Sequence, residues 1–150
     1  MRKSVLFICV HNSARSQMAE ALLKRRCSDD FVVESAGLEP GTLNPLAVEV
    51  MSEIGIDIAT VRTKSVAEVI KSGARYSYVI TVCDETSAER CPNFPGIAQR
   101  LHWSFADPSA FEGSLYQRLE KTRVVRDQIR DRIDAWCAEV CERVAATAGA

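Results

Sequence analysis

Short runs of β-branched and aromatic residues alternate along this chain with longer amphipathic ones, and the alternation constrains the fold more than any other feature. Strand signals stand at "SVLFICV", "FVVESA", "YSYVITV" and "QRLHWSF"; the first three are rich in residues that suit a buried, pleated surface. Helical patterns lie between and after them. "SARSQMAEALLKRRC" opens on Ser13 and carries Met18, Ala21, Leu22 and Arg25 at helical spacing. "NPLAVEVMSEIG" has Asn44 as N-cap, Pro45 at the first helical position and Gly55 as its stop. "KSVAEVIKSG" is a short third helix ended by Gly73, and the stretch from about Leu115 to Ala146 sets Val125, Ile129, Ile133, Trp136, Val140 and Val144 on one face of a long fourth. Strands separated by helices predict a parallel sheet covered on both faces. A chain of 150 residues is long enough to bury its own core, so residues 1–150 are expected to form one α/β domain.

Composition narrows the partners. A net charge of −1 and the absence of any extended basic stretch argue against nucleic acid. No apolar run approaches the length of a membrane span. The start "MRKSVLFICVHNSAR" has the basic opening of a signal peptide, but its apolar run is short and meets His11, Asn12 and Arg15 at once, which marks a strand. A cytoplasmic location is expected. The six cysteines (Cys9, Cys27, Cys83, Cys91, Cys137 and Cys141) are too few and too scattered for a disulfide scaffold, and none sits in a C-x-x-C pair or at zinc spacing. No metal and no cofactor are expected.

The chemistry is concentrated in "CVHNSARS", residues 9 to 16, where the first strand gives way to the first helix. A thiol at Cys9 and a guanidinium at Arg15 trap an oxyanion if the backbone between them curls. Spacing alone is weak: with 14 arginines, six cysteines give about half a chance match, and Cys137 to Arg143 is one. That second copy falls inside a helix, whose amides are already bonded. The first falls at a helix start, where loop amides and the first-turn N–H groups converge. The helix dipole adds positive potential there, and Arg15 offers a planar fork to two oxygens of a tetrahedral anion. The same field favours a thiolate at Cys9. Val10, His11, Asn12, Ser13, Ala14, Arg15 and Ser16 thus form the expected oxyanion-binding loop, with Ser16 donating to the sulfur and Asn12 pinning the loop's carbonyls. It is not a Walker loop, because the glycines and the Lys-Ser/Thr pair are missing.

"VLFICVHNSARSQMAEALL" resembles the phosphate-binding loop of the low-molecular-weight protein tyrosine phosphatase superfamily. It is more similar to the arsenate reductases of that fold, where S-Q-M-A-E follows the arginine. The resemblance continues through "SAGLEPG", "NPLAVEVMSEIGIDI", "VITVCDE", "CPNFPG" and "HWSFADPSA". It implies a phosphotyrosine phosphatase I-like fold: a single-domain three-layer α/β/α arrangement with a four-stranded parallel sheet in the order 2-1-3-4.

Displacing an oxygen from an oxyanion requires a proton, and Asp107 in "FADPSA" follows the fourth strand at the same sheet edge as Cys9. Pro108 restricts it to extended geometry. Where the phosphatases follow D-P with tyrosines, this chain reads "DPSAFEG", which weakens phosphotyrosine as substrate. Cys83 ends the third strand and Cys91 lies in the loop beyond. A phosphatase needs neither, whereas a reductase supplies two electrons through thiol–disulfide exchange. Thioredoxin-linked arsenate reductases, which this chain resembles, use cysteines at these two places. The resemblance therefore implies arsenate as substrate, phosphate or sulfate as competing anions, and thioredoxin or a similar thiol-transfer partner. Lys64 stands where some relatives carry an acidic residue of a potassium site, and potassium binding stays open. The rivals are a tyrosine phosphatase using Cys9 and Asp107, and a non-catalytic oxyanion or redox sensor. Cys27, Cys137 and Cys141 are expected to pack rather than to form half a metal site. His11 either tunes the loop's charge or faces solvent, and His102 is expected to be a strand residue.

Overall fold

The computed structural model describes residues 2–83 and 96–148. Its elements are β1 (Lys3–Cys9), α1 (Arg15–Cys27), β2 (Phe31–Gly37), α2 (Pro45–Ser52), α3 (Val66–Lys71), β3 (Tyr78–Thr81), β4 (Gln99–His102), a 3₁₀ turn (Pro108–Ala110) and α4 (Leu115–Ala148). The strands form one parallel sheet in the order β2-β1-β3-β4. All four carboxyl ends therefore open on one edge, which is where open α/β sheets bind ligands.

Because successive strand residues point to opposite faces, β1 divides its side chains between two cores. Val5, Phe7 and Cys9 join the larger core under α1, α2 and α4, while Leu6 and Ile8 join a smaller one with Val66, Val69 and Tyr76 around α3. Three layers result. On α4, Val125, Ile129, Ile133, Trp136 and Val140 are buried as their spacing predicts. Trp136 stacks on Phe31 at 5.1 Å and meets Tyr78 edge-on at 5.1 Å, closing the sheet at the end away from Cys9. Glu53, just past α2, accepts bonds from both Arg123 and Arg126 and ties α2 to α4.

Asn44, Gly55 and Gly73 bound the helices as expected: Asn44 Oδ1 accepts from the Leu46 amide at 2.9 Å, and the glycines take positive φ after α2 and α3. Ser65 and Glu68 add a reciprocal capping box at the start of α3. α1 differs from its prediction. It begins at Arg15, not Ser13, because the residues before it are spent on a loop, and Ala14 occupies the cap position. Its buried stripe runs through Met18, Ala19, Leu22 and Leu23; Ala21 is half-buried and Arg25 exposed.

Candidate active site

The segment between β1 and α1 curls around the Cys9 sulfur. The Asn12 amide donates to Sγ at 3.1 Å, and the Ser16 hydroxyl lies 2.8 Å from the same atom. Both contacts hold the sulfur at the centre of the curl. Ala14 has no side-chain oxygen to offer the first-turn amides of α1, which is the arrangement an anion site requires.

The curl is held from outside by residues 38–44. The amides of Leu38, Glu39, Gly41 and Asn44 donate to the carbonyls of Cys9, Val10, His11 and Ser13, at 3.1, 2.7, 2.9 and 2.8 Å. With those carbonyls tied outward, the loop turns its N–H side to the concave face, the sense already visible at Asn12. Asn12 pays for the turn with a left-handed backbone, φ 53°. Its side chain does not pin loop carbonyls, as the sequence suggested. Instead its amide nitrogen donates to Ser16 Oγ at 2.7 Å, and its oxygen accepts from Gln17 Nε2 at 3.0 Å and from the Lys64 amide at 2.9 Å. The fully buried Asn12 thus locks the loop to α1 and to the segment before α3. Gly37 completes the support. A Cβ there would lie 2.7 Å from Asn12 N, 2.8 Å from His11 C and 2.8 Å from Val10 O, all backbone atoms. Only glycine lets β2 end this close to the loop.

Arg15 is 2% exposed and its guanidinium is aimed rather than loose. Nη1 donates to the Phe105 carbonyl at 3.1 Å, and Nη2 stands 3.6 Å from Asp107 Oδ2. Asp107 has the extended backbone that Pro108 imposes, φ −82° and ψ 113°, and its Oδ1 caps the 3₁₀ turn by accepting from Ser109 N at 2.9 Å. The carboxyl therefore has one oxygen committed to its own turn and the other facing the arginine that would hold the anion.

Cys83 is buried, one residue beyond Val82, whose amide donates to Ile8 O. It follows the strand hydrogen-bonded to β1 and shares the larger core with Cys9. Cys91, the outer thiol implied by the resemblance, lies outside the described residues. His11 Nδ1 bonds the Glu39 carbonyl at 3.0 Å on the exposed rim, and His102 sits in β4 against Thr81. The sequence reading missed Gly37, Gln17 and the carbonyl-binding run at 38–44. The glycine in "SAGLEPG", directly after a strand, was the signal available.

These features define a class, and residues 4–146 match it: the chain belongs to the low molecular weight phosphotyrosine protein phosphatase family. Within that family its similarity is to reductases. The arsenate reductase of Shouchella clausii is 40% identical over 132 residues, covering 88% of this chain and 93% of its own. An arsenate reductase solved in its phosphate binding state matches with a TM-score of 0.72 at 31% identity, over 91% of this chain and 98% of that one. A thioredoxin-dependent arsenate reductase of Corynebacterium glutamicum matches with a TM-score of 0.57 at 32% identity, over 89% of this chain and 63% of its own.

Proposed function

We propose that this protein is an arsenate reductase that works through Cys9, Cys83 and Cys91. The observation that carries the reading is a second buried thiol, Cys83, at the end of the strand beside the one that delivers Cys9. Cys9 thiolate attacks arsenate held by the loop amides and Arg15. A sulfur–arsenic bond forms, and the departing oxygen leaves as water with a proton from Asp107. Cys83 then attacks the Cys9 sulfur. The new sulfur–sulfur bond displaces arsenic, which keeps the electron pair of the broken bond and leaves as arsenite, reduced from As(V) to As(III). Cys91 attacks Cys83, frees Cys9 and presents a Cys83–Cys91 disulfide to thioredoxin or a similar dithiol protein, which supplies the two electrons. Phosphate and sulfate compete for the loop, because it recognises tetrahedral shape and charge.

The site residues fit the roles: Val10, His11, Asn12, Ser13, Ala14 and Ser16 shape the anion pocket, Arg15 clamps, and Asp107 donates. We read residues 1–150 as a single domain of this kind, acting in the reducing cytoplasm where such a relay is recharged. The test is arsenate-dependent NADPH oxidation with thioredoxin and thioredoxin reductase. Sustained turnover supports the reading. Hydrolysis of aryl phosphates without arsenate turnover would make the protein a phosphatase in which water, not Cys83, is the second nucleophile.

A further inference from the structure

Two of the cysteines expected only to pack converge on a carboxylate, at the end of the sheet away from Cys9. Cys27 closes α1, about 18 Å along the helix from Arg15. Cys141 lies on α4, and Asp30 stands in the turn between α1 and β2. The two sulfurs and a carboxylate oxygen of Asp30 all lie within 4.8 Å of one another. Cys141 Sγ donates to Asp30 Oδ2 at 3.7 Å. Asp30 is fixed by its backbone: its amide donates to Cys27 O and its carbonyl accepts from Lys3 N, both at 3.1 Å. That carboxylate follows the C-terminus of α1, where the helix dipole disfavours negative charge. The basic residues of the last turn are engaged elsewhere, Lys24 with Glu20, Arg25 with Ile54 O and Arg26 with Asp134. Packing accounts for the buried Cys27. It does not account for a half-buried thiol and an exposed carboxylate turned onto it from two other elements.

We infer that Cys27, Asp30 and Cys141 form a site for a thiophilic divalent cation of the zinc type, separate from the reaction proposed above. The donor set selects the ion. Two thiolates point away from magnesium and calcium, which take oxygen, and a carboxylate points away from monovalent copper, which takes sulfur. The spacing agrees. With Zn–S about 2.3 Å and Zn–O about 2.1 Å, a tetrahedral centre sets a sulfur and an oxygen about 3.6 Å apart. Cys141 Sγ and Asp30 Oδ2 stand 3.7 Å apart before any ion is added. Water completes the four ligands from the exposed side. Binding is a ligand exchange without redox change: two thiols lose their protons to solvent and two Zn–S bonds form. The complex carries one negative charge, borne where Asp30 meets solvent rather than in the core. The ion would tie the turn after α1 to α4 and offset the charge at the helix end. Cys137, one turn away on α4 and 1% exposed, stays a core residue.

The test uses the full chain with Cys9, Cys83 and Cys91 all changed to serine, so that the thiols of the proposed reaction hold no metal. Zinc(II) is added and native mass measured; one zinc per chain, less two protons, is expected. Cobalt(II) in its place should give thiolate-to-cobalt charge-transfer absorption and the strong visible bands of a tetrahedral centre. Further Cys141→Ser or Asp30→Asn should each weaken zinc binding at least about tenfold in competition with a chromophoric chelator. Cys137→Ala should leave it unchanged. No zinc bound, or full affinity in either ligand variant, overturns the site. Lost affinity in Cys137→Ala with a native circular dichroism spectrum overturns this donor set. A second measurement needs no variant: zinc should protect Cys141 of the unmodified protein from iodoacetamide, read by peptide mapping, and unchanged alkylation of Cys141 overturns the inference.

Discussion

Cys9 and Cys137 each precede an arginine by six residues, Arg15 and Arg143, and the two sulfurs end in opposite surroundings. Cys9 sits at a helix start, with the Asn12 amide and the Ser16 hydroxyl bonded to its sulfur. Cys137 sits inside α4, where burial above all, then the neighbouring Cys27, pushes its thiol well above the ordinary value. The residue types and spacing are the same. The backbone differs: the carbonyls after Cys9 are claimed from outside by residues 38–44, whereas those after Cys137 are claimed by the helix itself. What separates the two copies is where the peptide dipoles point.

The strongest test removes the thiols that would separate reductase from phosphatase. Cys9→Ser should abolish every activity. Cys83→Ser should abolish arsenate reduction while leaving slow hydrolysis of a small aryl phosphate largely intact, because both chemistries share each step up to the covalent adduct. Cys91→Ser should permit about one turnover and trap a Cys9–Cys83 disulfide, visible by peptide mapping. Continued arsenate turnover by Cys83→Ser with thioredoxin would mean that an external thiol resolves the adduct.

The two arginines sharpen the comparison next. Arg15→Lys keeps the charge but loses the planar fork and the bond to Phe105 O. Binding of sulfate or phosphate should weaken by about 1.5–3 kcal/mol, some ten- to hundredfold. Arg143→Lys, in the copy with no curled loop, should leave anion affinity unchanged. Titration calorimetry of both variants decides it, and equal affinities would remove Arg15 from the site.

How much of this was legible in the sequence follows from the range of the forces involved. The α4 stripe and the Asn44 cap rest on short-range patterns, and the structure has them as expected; the strand order was implied only by the family resemblance, and the structure has that order too. The Cys9–Ser16 contact was legible too, since both ends lie in one motif. The supports were not. Asn12 was expected to pin its own loop, but its oxygen is claimed by the amide of Lys64, fifty-two residues away. Nothing local marks the Leu38 to Asn44 amides as partners of the loop carbonyls. The approach of Cys27 to Cys141 is of the same kind: one lies at the end of α1 and the other on α4, and only tertiary packing brings their sulfurs within 4.8 Å.

Gly37→Ala probes the outer support. The added methyl meets three backbone atoms under 3.0 Å, so either β2 or the loop must move. Stability should fall by about 1–3 kcal/mol in urea unfolding, with weaker phosphate binding beside it. The comparison makes the second readout the informative one. Lost stability with full phosphate affinity would show that the loop keeps its curl without β2 pressed against it.

Ser16→Ala carries the smallest expected effect and isolates the sulfur itself. The hydroxyl bridges Cys9 Sγ at 2.8 Å and Asn12 Nδ2 at 2.7 Å. Its loss removes one hydrogen bond from the Cys9 sulfur and leaves the Asn12 side-chain amide without that acceptor. A net contribution of about 0.5–1.5 kcal/mol per bond predicts a drop in the Cys9 alkylation rate, at neutral pH, of between about two- and tenfold. Phosphate affinity should change less, because Arg15 and the loop amides are untouched. Cys137 should alkylate slowly in both proteins, since its burial and the neighbouring Cys27 do not depend on Ser16. If the loss of Ser16 leaves Cys9 as reactive as before, the backbone dipoles alone activate the sulfur. The side chain would then serve only to hold Asn12.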